Sequence, residues 1–159
     1  MPRSSPVTRS HRLNAKPYKP HKAHRDAQTK PYQSTTPTIL LVDDDASVLE
    51  SLRRVLATEG WLIITAANGE EALERLAERQ PDLMITDLCM IGVSGWDLLF
   101  HEKLQRPNLP IFVITALPPT SAKGADHFAT NFFQKPLDLE VMVATIRRHF
   151  RETQSIQPS

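Results

Sequence analysis

Five short apolar runs, separated by stretches with helical spacing, constrain the fold of this chain most strongly. A short continuous apolar run is typical of a strand that is buried on both faces of a sheet. Regular alternation of such strands with helices predicts a doubly wound parallel sheet with helices on both faces. We therefore expect an α/β fold with five parallel strands. The runs are Ile39-Leu40-Leu41-Val42, Trp61-Leu62-Ile63-Ile64-Thr65, Leu83-Met84-Ile85-Thr86, Ile111-Phe112-Val113-Ile114 and Asn131-Phe132-Phe133-Gln134.

Apolar residues at helical spacing predict four helices between and after these runs, over residues 46–59, 70–80, 96–105 and 139–150. The stretch 117–130 stays open, because a proline pair begins it and a glycine weakens any helix there. The side chains that we predict to face inward are Val48, Leu52, Val55 and Leu56, then Ala72, Leu73, Leu76 and Ala77, then Leu98, Leu99 and Leu104, and last Val143, Ile146 and Phe150.

Charge divides the chain into a basic arm and an acidic remainder. Residues 1–36 hold eight Lys or Arg and one acid, so the other residues hold 11 basic and 17 acidic side chains (19 less 8, and 18 less 1). The arm is rich in proline and poor in apolar residues, and it cannot bury enough surface to offset its ordering entropy. We predict a disordered basic arm over 1–36, one folded domain over 37–152 and a short disordered tail over 153–159. The arm is either a solvated tail without a function or a polybasic segment that contacts an acidic partner, a membrane surface or nucleic acid.

Cysteine usage and hydropathy narrow the class of protein further. The single cysteine, Cys89, excludes an internal disulfide and fits a reducing compartment. No stretch approaches the roughly 20 apolar residues of a membrane helix, and the N-terminus lacks the apolar core of a signal peptide. We therefore expect a cytoplasmic protein. Fewer than ten residues follow the last predicted helix, so we expect no effector or DNA-binding output domain.

Polar side chains stand at the ends of four predicted strands: Asp43-Asp44-Asp45, Asp87, Thr115 and Lys135. In parallel sheets, ligands bind outside the carboxyl ends of the strands. Carboxylates gathered there would repel each other without a cation, and Mg²⁺ prefers oxygen ligands. Asp87 would then supply the attacking oxygen in phosphoryl transfer, Lys135 a positive charge and Thr115 a hydroxyl donor. Each residue alone is often a turn or capping residue, so the prediction depends on their joint occurrence.

Four stretches carry a resemblance to a known family: 39–45, 81–90, 114–116 and 132–136. Over residues 38–151 the chain resembles the receiver domain of two-component response regulators, including the single-domain chemotaxis type. The resemblance implies a flavodoxin-like receiver fold. It also implies a phosphoprotein in which Asp87 takes a phosphoryl group from a histidine kinase or a histidine phosphotransfer protein. Such a protein is not an enzyme beyond phosphotransfer to, and hydrolysis from, its own aspartate.

The resemblance further implies a metal site and a switch. Asp43, Asp44, Asp87 and the backbone carbonyl of Cys89 would hold Mg²⁺, with Asp43 acting mainly through water. This set places the metal beside the phosphoacceptor.

In the same family, Thr115 and Phe132 correspond to a switch hydroxyl and an aromatic side chain that turns inward when the hydroxyl moves. Lys135 corresponds to the lysine of the site, and the bond between Lys135 and Pro136 falls where the family has a cis peptide. Output would pass through a partner-binding face to a downstream protein that the sequence does not identify, or the phosphoryl group would move onward in a relay.

The chain departs from the family at the loop after the third strand. Ile91 stands where the family usually has proline, and we expect Gly92 and Gly95 to keep this loop flexible.

Two further departures concern the fourth connection and the rim of the site. Pro118-Pro119 and the short following stretch predict an abbreviated fourth helix. Leu117 and Cys89 lie where the family often has polar groups. We predict slow self-dephosphorylation, because apolar neighbours hinder an aligned water molecule.

Other functions remain as alternatives. The first is a receiver-like module that binds partners without being phosphorylated. The second is a haloacid-dehalogenase-type phosphatase, which needs a second aspartate two positions after the nucleophile, where Cys89 stands instead. The third is a nucleic-acid-binding protein. The basic arm is the one feature that supports it, and the sequence contains no recognition motif.

Overall fold

The computed structural model describes residues 36–118, 121 and 124–155. Within these residues the chain forms five strands and four α-helices. The predicted arm as far as residue 35 and residues 156–159 of the predicted tail lie outside the described residues. The strands are β1 (Thr38–Val42), β2 (Leu62–Ala66), β3 (Leu83–Asp87), β4 (Ile111–Thr115) and β5 (Asn131–Gln134); the helices are α1 (Ala46–Ala57), α2 (Gly69–Glu78), α3 (Gly95–Gln105) and α4 (Leu139–Ser155).

The five strands form one parallel sheet in the order β2-β1-β3-β4-β5. This arrangement confirms the predicted doubly wound α/β fold. The strand order reverses between β1 and β3, and an open sheet of this type has its binding crevice at the carboxyl ends of the strands where the order reverses. The crevice therefore lies beyond Val42 and Asp87, the last residues of these two strands.

Successive residues of each strand point to opposite faces of the sheet and pack into two apolar layers. Leu41 and Ile85 pack on one face of the sheet with side chains of α1 and α4. Leu40 and Met84 pack on the other face with side chains of α2 and α3. All four are essentially without solvent exposure, and burying such a side chain contributes roughly 1.5–3 kcal/mol. The two layers hold the strand ends rigidly at the edge of the sheet.

The inward face of α3 differs from the predicted one. Leu104 was expected to face the core, but it is 68% exposed, and this prediction is wrong. The inward position is occupied by Glu102, which is 0% exposed. Glu102 accepts a hydrogen bond from Arg106 Nη1 at 2.6 Å and lies 2.9 Å from His101 Nδ1. Apolar spacing could not identify this position, because a buried carboxylate is tolerated only where such partners neutralise it.

Smaller differences occur on the other helices. Ala77 of α2 is exposed although it was predicted to face inward. On α1 the buried side chains are Leu49, Leu52 and Leu56, while the predicted Val48 and Val55 are half-buried. Helix α4 continues to Ser155, beyond the predicted end at residue 150. No helix-breaking residue occurs in this extension, which lets the last turn form.

The connection from β4 to β5 contains only a short 3-10 turn, Ala125–His127, among its described residues. This agrees with the predicted abbreviated helix. Gly124 precedes the turn with a φ of 99°, a conformation that favours glycine. Phe128 follows the turn and packs against the layer of α2 and α3. No helix of the described part of the chain is long and apolar enough to span a membrane.

Candidate functional site

Two carboxylates meet at the reversal point of the strand order. Asp87 is the last residue of β3, and Asp43 follows β1 directly. Because Val42 is paired with Thr86 in the parallel register, the next residues, Asp43 and Asp87, lie side by side. Both are buried, with 2% and 5% of their surface exposed. The sheet therefore holds two carboxylates together in a place with little water.

Lys135 is shared between these carboxylates. It follows β5, and its Nζ donates hydrogen bonds to Asp87 Oδ2 at 2.6 Å and to Asp43 Oδ2 at 3.1 Å. Burial by itself lowers the pKa of Lys135, but the hydrogen bonds to Asp87 and Asp43 outweigh this effect and raise it above its usual value. The two carboxylates thus favour the charged form of the lysine.

The remaining carboxylate oxygens are bound by the loops that follow each strand. Asp45 N donates to Asp43 Oδ1 at 2.9 Å, and Cys89 N donates to Asp87 Oδ1 at 2.9 Å. These turns, in which an aspartate accepts from the backbone two residues on, are typical of Asp. No buried side-chain nitrogen or oxygen within the described residues lacks a hydrogen-bond partner. The two carboxylates are therefore fixed in orientation before any ligand arrives.

Ile91, which departs from the family pattern, connects the two acidic loops. Its backbone N–H donates to Asp44 Oδ2 at 3.3 Å. Proline has no N–H and could not form this bond. Asp44 itself is exposed, as is the Ile91 side chain. The isoleucine thus adds a contact between the loop after β3 and the loop after β1.

Gly95 has a different role from the predicted loop flexibility. It is the first residue of α3, which begins with a capping box between Ser94 and Asp97. A Cβ atom at position 95 would lie 1.8 Å from the carbonyl oxygen of Asp87. Glycine is therefore required because the helix packs directly on the backbone of Asp87. Gly92, in contrast, has a φ of 84° and open space around it.

Thr115 stands at the end of β4, one residue beyond the register partner of Asp87. It is 2% exposed, and its Oγ1 accepts a hydrogen bond from Leu117 N at 3.0 Å. The carbonyl of Thr115 accepts from Lys135 N at 2.8 Å, which ties β4 to β5. The structure thus places Thr115 at the same edge as the carboxylates, with its side chain engaged by its own loop.

Phe132 lies on β5, the edge strand of the sheet, and 36% of its surface is exposed. The bond between Lys135 and Pro136 is cis, as the resemblance implied. Sequence reasoning missed Gln134, whose side-chain Nε2 donates to the carbonyl of Leu117 at 3.0 Å. A glutamine beside a lysine carries no sequence signal for such a contact.

The donors at this edge are of the type that Mg²⁺ prefers. Asp43, Asp44 and Asp87 offer only oxygen, and the single Lys135 does not neutralise them. In the described part of the chain, however, no three Asp, Glu, His or Cys side chains are grouped closely enough to hold a metal ion. Asp44 is turned toward the N–H of Ile91. The chemistry of these donors fits Mg²⁺.

The fold and the site define a doubly wound α/β domain with an acidic, lysine-bridged centre at the carboxyl edge of its sheet. A family model described as the response regulator receiver domain matches residues 39–147. The chain is similar to the response regulator MprA of Mycobacterium ulcerans, with 38% identity over 117 residues, covering 72% of this chain and 50% of that protein. The chain belongs to the response regulator receiver domain family of two-component systems.

Solved structures agree with this assignment. The chain is similar to a response regulator receiver protein from Pseudomonas putida, with 31% identity and a TM-score of 0.69 over 72% of this chain and 98% of that one. It is also similar to the response regulator TrrA from Thermotoga maritima, solved in complex with Mg²⁺-BeF, with 28% identity and a TM-score of 0.67 over 71% of this chain and 98% of that one. This chain spans about half the length of the curated relatives it matches.

Proposed function

We propose that this protein is a phosphoacceptor of a two-component phosphorelay and that Asp87 receives the phosphoryl group. Receiver domains generally work with a histidine kinase and are signalling proteins rather than enzymes that turn over free substrates. The observation that supports the proposal most is the pair of hydrogen bonds from Lys135 Nζ to Asp87 and Asp43. This bridge keeps a cation beside the carboxylate that would react. A cytoplasmic location is part of the proposal, because the exposed thiol of Cys89 fits a reducing compartment.

The reaction would use the side chains of the site as follows. A carboxylate oxygen of Asp87 attacks the phosphorus of a phosphohistidine, which belongs to a histidine kinase or a histidine phosphotransfer protein. The bond between phosphorus and the imidazole nitrogen breaks, and its electron pair stays on the ring. Lys135 offsets the negative charge of the phosphoryl oxygens in a site with little water. The N–H of Cys89 orients the other oxygen of Asp87.

We include Mg²⁺ as the cofactor of this reaction. Asp43, Asp44, Asp87 and the backbone carbonyl of Cys89 would hold it. When bound, Mg²⁺ supplies positive charge that draws the phosphoryl oxygens to the carboxylate edge. Support comes from the oxygen donors of this site and from TrrA, which was solved with Mg²⁺-BeF.

The outcome of phosphorylation would be a change of the surface near β5. The hydroxyl of Thr115 can donate a hydrogen bond to a phosphoryl oxygen while it still accepts from Leu117. Movement of the loop after β4 would let Phe132 turn inward and alter the face that a downstream protein reads. The output would then depend on a partner protein.

The experiment that tests the proposal is intact-mass measurement after incubation with acetyl phosphate and Mg²⁺. The wild-type chain should gain the mass of one phosphoryl group. Asp87→Asn should gain nothing, and a chelator should abolish the gain in the wild type. The control is Asp82→Asn, because Asp82 precedes the opposite end of β3, where it accepts a hydrogen bond from Thr38 N at 2.7 Å. A wild-type chain without mass gain would favour a receiver-like module that binds partners unphosphorylated.

We also propose that the phosphorylated form is long-lived. Leu117 is half-buried beside Thr115, and Cys89 follows Asp87 by two residues. Neither side chain orients a water molecule well. The double substitution Leu117→Asn and Cys89→Asn should therefore speed the loss of the phosphoryl group by about tenfold, since general positioning of a reactant contributes at least this much. Decay of the mass peak after removal of acetyl phosphate measures the rate, and equal lifetimes in both proteins would contradict the proposal.

A further inference from the structure

The backbone of Leu117 is hydrogen-bonded on both sides of its Cα atom. Its N–H donates to Thr115 Oγ1 at 3.0 Å, and its carbonyl accepts from Gln134 Nε2 at 3.0 Å. Gln134 ends β5, and the next residue is Lys135, whose backbone N–H is bound to the carbonyl of Thr115. The end of β5 therefore forms two hydrogen bonds to the end of β4 and the loop that follows it, one from the Lys135 backbone and one from the Gln134 side chain.

The hydrogen bonds to the Leu117 backbone restrain the position of its side chain. Leu117 is half-buried and packs against the apolar layer of α2 and α3. Pro118 follows it and is exposed, so the loop turns toward solvent directly after the bond from Gln134. Without that bond, the last fixed point of the loop would be Leu117 N on Thr115 Oγ1. The backbone that carries this side chain would then be less restrained, and the side chain could shift away from the edge of the sheet.

We propose that Gln134 is a positioning residue that sets the lifetime of the phosphorylated form through Leu117. This inference rests on the proposed phosphorylation of Asp87. In hydrolysis, the oxygen of a water molecule bonds to phosphorus, and the bond between phosphorus and the Asp87 oxygen breaks. The electron pair returns to the carboxylate, and the proton of the water leaves with inorganic phosphate or solvent. The apolar side chain of Leu117, held beside Thr115, keeps water from the line of attack, and Gln134 maintains this cover.

The test compares Gln134→Met, which keeps the length of the side chain and removes its N–H donors, with the wild type. Both proteins are loaded with acetyl phosphate and Mg²⁺, the donor is removed, and the decay of the phosphorylated mass is followed. The variant should lose its phosphoryl group roughly two- to tenfold faster, the range that one hydrogen bond supports. The control is Gln105→Met, because Gln105 is an exposed glutamine at the end of α3, and its decay should match the wild type.

A double-mutant cycle separates positioning from a general structural effect. In a Leu117→Ala background the apolar cover is absent, so adding Gln134→Met should change the decay rate by less than about twofold. Unfolding midpoints in urea accompany each rate, because Gln134 is exposed and its loss should hardly alter stability.

Three results would overturn the inference. Equal decay of phosphorylated wild type and Gln134→Met would defeat it while leaving the proposed function intact. An equal acceleration by Gln134→Met with and without Leu117 would show that Gln134 does not act through this side chain. A wild-type chain that gains no phosphoryl mass would defeat the proposed function, and the role of Gln134 with it.

Discussion

A single ammonium group bridges the two buried carboxylates of the site. Lys135 bonds to both Asp43 and Asp87, and only 24% of its side chain is exposed. A buried charge that loses its partner is strongly destabilising, whereas exposed pairs contribute little. We therefore expect Lys135 to contribute to the stability of the fold as well as to the charge of the site.

We expect Lys135→Met to lower the free energy of unfolding by about 1–3 kcal/mol, less than for a fully buried pair because the lysine is partly exposed. Urea unfolding at neutral pH measures the change. The matched control is Lys103→Met, because Lys103 is partly buried and donates to a neutral acceptor, the carbonyl of Leu109, at 3.2 Å. A Lys135→Met protein as stable as the control would show that the two carboxylates do not depend on the lysine.

At the level of single residues, some polar residues with a structural or functional role could be predicted from the sequence and others could not. Asp43, Asp87 and Lys135 were predictable because each comes at or just after the end of an apolar run, and parallel strand ends share one edge. Gln134 and Glu102 were not, because their roles depend on which way a side chain points and on partners elsewhere in the fold. Sequence spacing gives the position of a residue along a strand or helix but not the partner of its polar atoms.

Among the helices, α3 packs directly on the backbone of the site. Its first residue, Gly95, lies against the carbonyl of Asp87. At its other end Arg106, the partner of Glu102, donates through Nη2 to the carbonyl of Leu76 in α2 at 2.8 Å. The helix therefore links β3 to α2, and we expect a change at either end of α3 to affect the other end.

We expect Gly95→Ala to destabilise the protein by about 2–4 kcal/mol, because a Cβ at this position overlaps backbone that cannot move without shifting β3. The rate of phosphorylation by acetyl phosphate should fall in parallel. Gly60→Ala is the control for backbone strain alone, since its φ is 82° and no atom lies within 4 Å of the added Cβ; its loss should be about 1 kcal/mol. Equal losses for both variants would argue against close packing at residue 95.

Helix α4 contributes a histidine to the opposite layer of the core. The ring of His149 packs edge-on against Phe112, with centroids 5.5 Å apart, and also contacts Phe150. Burial lowers the pKa of His149 below 6.5, although Glu152 acts in the opposite direction. The unfolded chain therefore binds a proton more readily than the folded chain does between the lowered pKa and 6.5.

Stability should consequently decrease as the pH falls below about 6.5, because protonation of this ring favours the unfolded chain. The contribution of His149 should be less than about 1 kcal/mol, since the ring is partly exposed. Urea unfolding from pH 7.5 to 5.5 should show a smaller decrease for His149→Gln than for the wild type, with His127→Gln, an exposed histidine, as the control. Identical pH profiles for the wild type and His149→Gln would contradict this assignment.

For the whole molecule, the alternation of apolar runs was enough to predict the sheet, its parallel strands and the edge that carries the site. The connection between β4 and β5 could be predicted only as shortened. Its prolines and glycine disfavour a helix, but they do not specify the 3-10 turn at Ala125–His127 that takes its place. This segment precedes β5, so sequence patterns say least about the surface beside this edge strand.

Coupling between the site and this surface should depend on the hydroxyl of Thr115. The hydroxyl is the only polar side-chain atom at the end of β4, and it is already bound to the loop through Leu117 N. Phosphorylation of the wild type should therefore change amide hydrogen exchange in residues 131–134 by about fivefold or more, equivalent to roughly 1 kcal/mol. Thr115→Ala should still gain the phosphoryl mass, at a lower rate, but this exchange response should be lost.

The control for this prediction is Thr145→Ala, because Thr145 lies on α4 and its hydroxyl donates only to the carbonyl of Val141, at 2.8 Å. It should keep the full exchange response. Exchange must be compared between fully phosphorylated samples, since a lower yield alone would weaken the signal. A response that persists in phosphorylated Thr115→Ala would mean that the surface at β5 is reached by another route, for which the backbone bond from Lys135 N to the Thr115 carbonyl is the next connection to test.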